Sequence, residues 1–400
     1  MTFNNWISTE LRDLCLFLSR GITPAYDVTG VKVINQKCIR NNRVSLDLAR
    51  FSNLSKRSIP ANKYLQQYDT LVNSTGEGTL GRVATIKNAT GQITVDSHVT
   101  IVRAKPGIDK LFLGYALQNV QSQIESLAEG STGQTELSKD RLGAEIMITY
   151  PEKIEEQRAI AATLSCLDDK IELNKRMNKT LEEMAQAIFK SWFVDFEPFQ
   201  DGEFVDSELG RIPKGWRVGV LDECIELYDY KRIPLSSRER ASMDKLYPYY
   251  GATSLMDYVN DFIFDGVYVL LGEDGSVVDS EGYPILQYVW GKFWVNNHAH
   301  ILKGRNGYDE QSIYMLLKNT NVQSIVTGAV QLKINQANLK SVRVLIPDES
   351  TLKRFNMMVF DVFQLKRQLR EESDLLVSTR DILLPKLMSG EICVSALMEV

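Results

Sequence analysis

The segment VDSHVTIV at residues 95–102 decides the fold, because the chain contains a second version of it. The segment VNNHAHIL at residues 295–302 repeats its order of β-branched and polar residues. Trp6 with Leu11 precedes the first segment, as Trp216 with Leu221 precedes the second. A period of about 200 residues is far longer than the roughly 20 to 50 residues of a solenoid unit. Each copy is therefore predicted to be a whole domain followed by a helix.

Residues 1–150 form the first repeat. They alternate short strand-like runs with turn clusters. Helix-like stretches are fewer, and the main one covers residues 112–127. This pattern predicts an α+β fold, because a doubly wound sheet requires a regular alternation of strands and helices. The predicted strands are 31–34, 70–73, 82–86, 93–95, 100–102 and 145–149.

After each repeat, the apolar period changes to that of a coiled-coil seam with steps of three and four. No Pro or Gly interrupts residues 152–197, so we predict one helix of roughly 40 residues there. Pro385 is expected to kink or end the second helix. The first seam consists of Ile160, Leu164, Leu167, Ile171, Asn174, Asn178, Leu181, Ala185 and Ile188. The second consists of Leu352, Phe355, Val359, Val362, Lys366, Leu369, Ser373, Leu376, Arg380, Leu383 and Leu387.

Polar residues interrupt both seams, notably Asn174 and Asn178 in the first and Lys366 and Arg380 in the second. Such residues are tolerated where they meet a polar partner, and they then fix the register of the helices. We predict that the two helices pack antiparallel and hold the two globular domains at opposite ends. The alternative is that each helix folds onto its own globular domain.

The chain between Glu197 and Gly215 is polar and carries Gly and Pro, which indicates a domain boundary. The predicted organisation has four parts and a pseudo-two-fold repeat. These are a first globular domain (1–150), a central helix (151–197), a second globular domain (198–346) and a distal helical segment (347–400). The second globular domain is the second repeat.

Composition favours a water-soluble protein without an export signal. No run approaches the roughly 18 apolar residues of a membrane span, and residues 1–20 lack a cleavage pattern for export. The five cysteines are scattered, so we expect reduced thiols and a cytoplasmic location. The net charge is −5, yet residues 1–150 alone carry +4. The cluster Lys37, Arg40 and Arg43 in that part either faces phosphate or belongs to an ordinary solvated surface.

The motifs that suggest catalysis are incomplete. GEGTLGRV at residues 76–83 has the glycines of a dinucleotide or kinase loop, but a strand-like run follows it instead of a helix. We interpret it as the tip of a hairpin, with a related turn at Gly272–Gly275. His298 and His300 lack a third metal ligand at a recognisable spacing, so structural roles are expected for both. The chain also lacks the tetrapeptide with which an adenine methyltransferase holds a flipped base. These absences favour binding over catalysis, and no metal site is predicted.

The helical parts resemble the specificity subunits of type I restriction-modification systems. The stretches LSKDRL (137–142), EEQRAI (155–160), LSCLDDKI (164–171) and LEEMAQAIFKSWFVDF (181–196) are similar to the central conserved region of that family. IPKGW (212–216) resembles the entry to its second target recognition domain, and LPKLMSGEI (384–392) resembles its closing segment.

The resemblance implies a non-catalytic subunit in which each globular domain recognises one half of a split, asymmetric DNA site. The helices would set the number of unrecognised base pairs between the two half-sites, and they would dock two modification subunits. Those partners would bind S-adenosylmethionine and methylate adenine, and restriction subunits would add translocation and cleavage driven by ATP with magnesium. No cofactor is expected on this chain, and the location implied is the cytoplasm of a bacterium or an archaeon.

The family contacts DNA through loops, so the polar and charged residues of the predicted loops are the candidates. Gln and Asn can pair with adenine and Arg with guanine, while Ser, Thr and Lys more often hold phosphate. In the first repeat they are Lys37, Arg40, Arg43, Ser74, Thr75, Thr79, Arg82, Ser97, His98, Ser131, Thr132, Gln134, Thr135 and Lys139. In the second repeat they are Lys231, Arg232, Glu273, Asp274, Ser276, Asn296, Asn297, His298, Gln331, Lys333 and Asn335.

Other interpretations remain open from the sequence. Trp192, Phe193 and Phe196 either form part of a partner-docking face or pack against the adjacent globular domain. A helical adaptor that joins proteins without meeting DNA is one rival function. A nucleotide-binding phosphotransferase is the other, and it depends on the glycine turn alone.

Overall fold

The computed structural model describes residues 6–128, 136–328 and 331–394, which divide into two compact units. The first unit contains Met1–Leu173 and Glu372–Val400, and the second contains Asn174–Glu371. Both boundaries cut through the long helices, so each unit combines one repeat with half of each helix. The four-part division along the chain therefore stays a prediction.

The first unit contains twelve strands within its described residues. They are β1 (Trp6–Glu10), β2 (Cys15–Arg20), β3 (Tyr26–Asp27), β4 (Val31–Ile34), β5 (Ile39–Arg40), β6 (Arg43–Val44), β7 (Arg50–Ser52), β8 (Thr70–Asn73), β9 (Val83–Thr85), β10 (Ile93–Val95), β11 (Val99–Ala104) and β12 (Met147–Pro151). Its short helices are α1 (Lys110–Asn119), α2 (Gln121–Ser126) and α3 (Lys139–Glu145).

The central sheet of the first unit has the antiparallel order β2-β11-β8-β9, and both faces of its inner strands β11 and β8 are buried. Val102 faces a core with α1, α2, α3 and the long helices, whereas Ile101 faces a second core. Adjacent side chains alternate between the two faces of a strand, so β11 contributes to both cores. Across the second core lies the sheet β10-β4-β7-β3, in which β10 and β4 are parallel.

The second unit repeats this plan. Its strands are β13 (Phe204–Ser207), β14 (Gly210–Pro213), β15 (Arg217–Val220), β16 (Ile225–Leu227), β17 (Tyr247–Tyr250), β18 (Leu255–Val259), β19 (Phe264–Asp265), β20 (Tyr268–Gly272), β21 (Leu286–Val289), β22 (Lys292–Val295), β23 (Ala299–Gly304) and β24 (Arg343–Ile346). Its short helices are α5 (Ser237–Ala241), α6 (Glu310–Lys318) and α7 (Gln336–Lys340). The order β16-β23-β20-β21 matches the central sheet of the first unit, strand for strand.

The long helices are α4 (Ile154–Phe193) and α8 (Glu349–Met388), each of 40 residues. The prediction of one continuous helix after each repeat is confirmed. Pro385 lies inside the last turn of α8, which ends at Met388. No helix within the described ranges has the unbroken apolar length that a bilayer crossing requires.

The two long helices run antiparallel in each unit, as predicted from the seams. In the first unit, Arg380 pairs with Asp168 at 2.8 Å and Glu372 with Lys170 at 3.3 Å. In the second unit, Lys366 pairs with Glu182, and the Asn174 amide donates to the backbone oxygen of Leu369 at 3.4 Å. The polar seam residues Lys366 and Arg380 therefore meet polar partners.

The helix predicted over residues 112–127 differs in detail. It is interrupted at Val120, where the backbone leaves the helical conformation, and it forms α1 and α2. Ile124 of α2 lies in the same core as Phe112 and Leu113 of α1.

The aromatic residues at the end of α4 lie in the core of the second unit. Trp192 is 7% exposed, and the Phe193 ring contacts both Trp216 and Phe355 with centroids 5.5 and 4.8 Å apart. Phe196 also packs edge-on against Trp216. Of the two alternatives for these residues, the structure shows core packing.

Candidate nucleic-acid interface

Three loops of the first unit meet at the edge of its central sheet. They are the β8–β9 turn (74–82), the turn before β11 (96–98) and the described part of the segment before α3 (136–138). The amide of Ser74 donates to the backbone oxygen of His98, and the amide of Leu137 donates to that of Ser74, each at 2.8 Å. We call these three loops the first loop cluster.

The glycine-rich turn is the tip of a hairpin, as predicted. Strands β8 and β9 are antiparallel, and the amide of Gly81 donates to the backbone oxygen of Asn73 at 2.8 Å. Gly76, Gly78 and Gly81 have φ of 102°, 66° and 82°, a region that favours glycine. The glycine pattern is thus explained by backbone geometry.

The candidate side chains of the first cluster differ in accessibility. His98 is exposed, and its Nδ1 lies 2.8 Å from the Thr75 hydroxyl. Ser74 is fully buried and hydrogen-bonded to Thr100 at 2.6 Å, so it supports the loop from inside. Ser97, Thr79 and Arg82 are partly exposed, and Lys139 is exposed. Ser131, Thr132, Gln134 and Thr135 lie outside the described residues.

The three cations of the basic cluster around Lys37 do not share one environment. Lys37 is exposed and follows Gln36, whose side chain accepts from the Thr75 hydroxyl at 3.2 Å. Arg40 is exposed on the short β5–β6 hairpin. Arg43 on the same hairpin pairs with Glu172 of α4 at 2.9 Å. A DNA contact by Arg43 would use the guanidinium donors that Glu172 leaves free, or would compete with this ion pair.

The second unit builds the same loop cluster with different side chains. The backbone amide of Glu273 donates to the backbone oxygen of His298 at 2.8 Å, and the amide of Ile334 donates to the backbone oxygen of Glu273 at 2.9 Å. These bonds correspond to Ser74–His98 and Leu137–Ser74. The Nδ1 atom of His298 lies 2.6 Å from the carboxylate of Asp274, where Thr75 stands in the first unit. We call this the second loop cluster (273–276, 296–298 and 331–335).

Most candidates of the second loop cluster face solvent. Lys231, Ser276, Asn297, Gln331 and Lys333 are exposed, while His298 and Asp274 are partly exposed. Asn335 caps α7 by accepting from the amide of Asn338 at 2.8 Å. Asn296 is buried and shapes its turn from inside.

A buried charged network lies beneath the second loop cluster. His300 is completely buried, with Nδ1 2.6 Å from Asp229 and Nε2 2.7 Å from the backbone oxygen of Ile334. Arg232 donates to Glu273 at 2.5 Å and to the backbone oxygen of Ala299 at 2.9 Å. The network therefore fixes three loop segments in place, and Arg232 has a structural contact in addition to its predicted DNA contact.

The network also contains a set of potential metal ligands, which the sequence spacing did not reveal. Ligand atoms of Asp229, Glu273 and His300 lie within 4.8 Å of one another. Both carboxylates already have cationic partners, since Arg232 pairs with each and Lys333 pairs with Glu273 at 3.2 Å. A network of ion pairs explains the group without a metal ion.

The electrostatics of the network keep both acids ionised. Burial raises the pKa of Asp229, but the hydrogen bonds from His300 and the Ile301 amide and the charge of Arg232 outweigh it and hold the pKa below its ordinary value. Burial likewise raises the pKa of Glu273, whereas hydrogen bonding to Arg232 and the charges of His300 and Arg232 lower it overall. Both side chains therefore act as acceptors at neutral pH.

Asp96 and Asn296 occupy equivalent positions, and both are 4% exposed. Each Oδ1 accepts from the backbone amide of the histidine two residues later, at 2.9 Å for Asp96 and 2.8 Å for Asn296. Burial raises the pKa of Asp96 above its ordinary value of 3.8. The first unit thus buries a charge where the second achieves the same turn with a neutral amide.

We expect Asp96→Asn to raise the melting temperature of the protein at pH 7. Because the pKa of Asp96 is higher in the folded protein than in the unfolded chain, the wild type loses stability as the pH rises from 3.8 to beyond the folded-state pKa. The neutral amide of the variant does not titrate, so the variant avoids this loss. The gain should therefore shrink as the pH falls towards 4. Thermal unfolding at several pH values measures it, with the exposed residue Asp47 changed to Asn as the control. A lower melting temperature at pH 7 would contradict this explanation.

A group of cations beside the first loop cluster was not predicted from the sequence. Arg20 forms an ion pair with Glu136 and donates to the backbone oxygen of Leu137 at 2.6 Å. Lys63 donates to the Ser19 hydroxyl at 2.6 Å, and its pKa is lowered by burial and by the charge of Lys139. These residues are distant in sequence, so only the fold could bring them together.

The family assignment follows from the repeated fold and from a direct match. The family model for the type I restriction modification DNA specificity domain matches residues 4–183 and again residues 213–366. The chain therefore belongs to the family of type I restriction-modification specificity subunits.

Individual relatives agree with this assignment. The specificity subunit of the type I restriction enzyme MjaIX of Methanocaldococcus jannaschii is 29% identical over 343 residues, which cover 81% of this chain and 78% of the relative. The HindI specificity subunit of Haemophilus influenzae is 22% identical and covers 97% of this chain and 100% of the relative. The crystal structure of the type I restriction-modification S subunit from M. genitalium has a TM-score of 0.58 at 18% identity, with 97% of each chain covered, and shows the same fold.

Proposed function

We propose that this chain is the subunit that gives a type I restriction-modification complex its DNA sequence specificity, by recognising a split and asymmetric site. Each loop cluster would recognise one half-site. The chain would dock modification subunits that methylate adenine, together with restriction subunits. S-adenosylmethionine, ATP and magnesium would be bound by those partners.

The observation that carries this proposal is the repeated backbone of the two loop clusters. The backbone bonds Ser74–His98 and Glu273–His298 are the same length, yet the side chains presented around them differ. Thr75 beside His98 is neutral, whereas Asp274 beside His298 is charged. Two loop clusters with the same backbone arrangement and different side chains suit the recognition of two different half-sites.

The proposed division of labour follows from side-chain chemistry. Exposed amides and histidines, such as Asn297, Gln331 and His98, can exchange hydrogen bonds with base edges. Lys37, Lys139 and Lys333 offer charge to phosphates, a contact that weakens as salt rises. The second repeat is net acidic, so we expect the methylating partners to supply part of its phosphate binding.

The partner-docking surface is proposed on the exposed apolar residues of the long helices. Within the second unit, Met357, Phe360 and Leu365 on α8 are 61%, 47% and 38% exposed, and Met184 on α4 is 48% exposed. Large apolar side chains that remain exposed on a helix are typical of protein interfaces.

The test is selection from random double-stranded DNA with the chain mixed with its modification subunits. We expect enrichment of a split sequence, and the chain should be required for it. A variant with Gln331→Ala and Asn297→Ala should relax one block and leave the other unchanged. Formation of the complex without enrichment of any sequence would contradict DNA recognition and favour the adaptor function.

A further inference from the structure

A buried tyrosine in the first unit contacts the ion pair between the long helices. Tyr115 lies on α1 and is 3% exposed, and its hydroxyl donates to Asp168 of α4 at 2.6 Å. The second oxygen of Asp168 accepts from Arg380 of α8 at 2.8 Å. One carboxylate thus joins the globular domain to both long helices.

The second unit has the same arrangement. Tyr314 lies on α6 and is 8% exposed, and its hydroxyl donates to Glu182 of α4 at 3.1 Å. Glu182 also pairs with Lys366 of α8, and Lys318 of α6 pairs with the same carboxylate. In both units the acid lies on α4 and the cation between the helices lies on α8.

Both tyrosines stay neutral donors over the physiological pH range. Burial raises the pKa of each hydroxyl, and the neighbouring carboxylate raises it further. Burial raises the pKa of Glu182 as well, but Lys366 and Lys318 lower it overall, so this acceptor is ionised. Hydrogen bonds to charged acceptors are stronger than neutral ones and fix direction as well as distance.

We propose that Tyr115 and Tyr314 are positioning residues, each of which fixes the orientation of its globular domain on the long helices and so restricts the spacing between the half-sites. The inference depends on the proposed DNA recognition. It adds that two hydroxyl groups outside the loop clusters contribute to spacing selectivity.

The physical reason lies in the geometry of DNA. A duplex advances about 34–36 Å in 10–10.5 base pairs, so each added base pair moves a half-site by about 3.4 Å and turns it by about 35°. A globular domain that is held rigidly on the helices cannot follow this rotation. Loss of the hydroxyl bond removes one directional contact between the domain and the helices, so the domain should follow this rotation more readily; the effect should be smaller in the second unit, where Lys318 still pairs with Glu182.

The experiment uses the chain in complex with its modification subunits, and DNA that carries the enriched half-sites with spacers one base pair shorter, equal or longer. The wild type should bind one spacing in preference to the others. In Tyr115→Phe and Tyr314→Phe, the preference should fall by about tenfold, near the lower end of what one hydrogen bond to a charged acceptor contributes. Affinity for the preferred spacing should change less than about threefold.

Tyr268→Phe is the matched control, because this tyrosine is 7% exposed in the apolar core of the second unit and packs against Phe264 and Phe293. It should leave the spacing preference unchanged. A purely structural role would lower the melting temperature and weaken all spacings equally, and that result would overturn the inference. Failure of the wild type to select any split sequence would instead overturn the proposed function.

Discussion

Arg103→Leu should destabilise the first unit by about 3–5 kcal/mol and lower its melting temperature by about 10 °C, while the second unit stays folded. Arg103 is 5% exposed, and its Nε and Nη2 donate to the two oxygens of Asp69 at 2.9 and 2.6 Å. Asp69 is itself 1% exposed. Removal of the guanidinium leaves a buried carboxylate without its charged partner, which costs far more than the loss of a surface pair.

Hydrogen exchange distinguishes this local effect from general unfolding. Backbone amides of β8 and β11 should lose protection in Arg103→Leu, whereas those of β20 and β23 should keep it. The control is Arg40→Leu, which removes an exposed arginine from the same unit and should change stability by less than about 0.5 kcal/mol. Because Asp69→Leu/Arg103→Leu removes both charges, it should recover much of the loss. Equal stability of Arg103→Leu and Arg40→Leu would show that the buried pair has no such role.

His300→Leu should destabilise the second unit by about 3 kcal/mol and disorder its loop cluster. The imidazole bridges Asp229 and the backbone oxygen of Ile334, and its side chain is fully buried. Leucine fills a similar volume but donates to neither acceptor, so the backbone oxygen of Ile334 loses this donor and Asp229 keeps only its contacts with Arg232, Gln336 and the Ile301 amide. Exchange protection should fall at Ile334 and in β23, and binding to the second half-site should weaken more than binding to the first.

His298→Leu is the matched control for this change. The His298 side chain is 46% exposed, and its pair with Asp274 is therefore screened by water. We expect it to reduce the stability by less than about 1 kcal/mol, although it can alter DNA binding directly. If the two leucine variants unfold at the same temperature, the buried network does not hold the loops.

The helical part of the fold was predictable because its signal is periodic and long. Seam positions such as Ile160, Leu164 and Phe355 are buried, and a period of 3.5 residues repeated over 40 residues has few alternative explanations. The strands 31–34, 70–73 and 93–95 were also placed correctly. Shorter features were less predictable, as the break at Val120 shows, because a single residue decides them.

The candidate site was predictable only in part, because its contacts join residues that are distant in sequence. The repeat placed His98 and His298 at matching turns, and the structure gives them matching backbone bonds. Nothing in the sequence connects Asp229 with His300, or Arg20 with Glu136. The charge of Arg43 left phosphate and solvent open as its surroundings, and its pair with Glu172 could not be predicted because the two residues are distant in sequence.

The most direct measurement is a map of methylated adenines in DNA from cells that express this chain with its modification subunits. We predict one split motif, with two unlike blocks at a fixed spacing and a methylated adenine in each. The variant with Gln331→Ala and Asn297→Ala should change one block only. A continuous motif, two identical blocks, or methylation without any motif would contradict recognition of an asymmetric site by the two loop clusters.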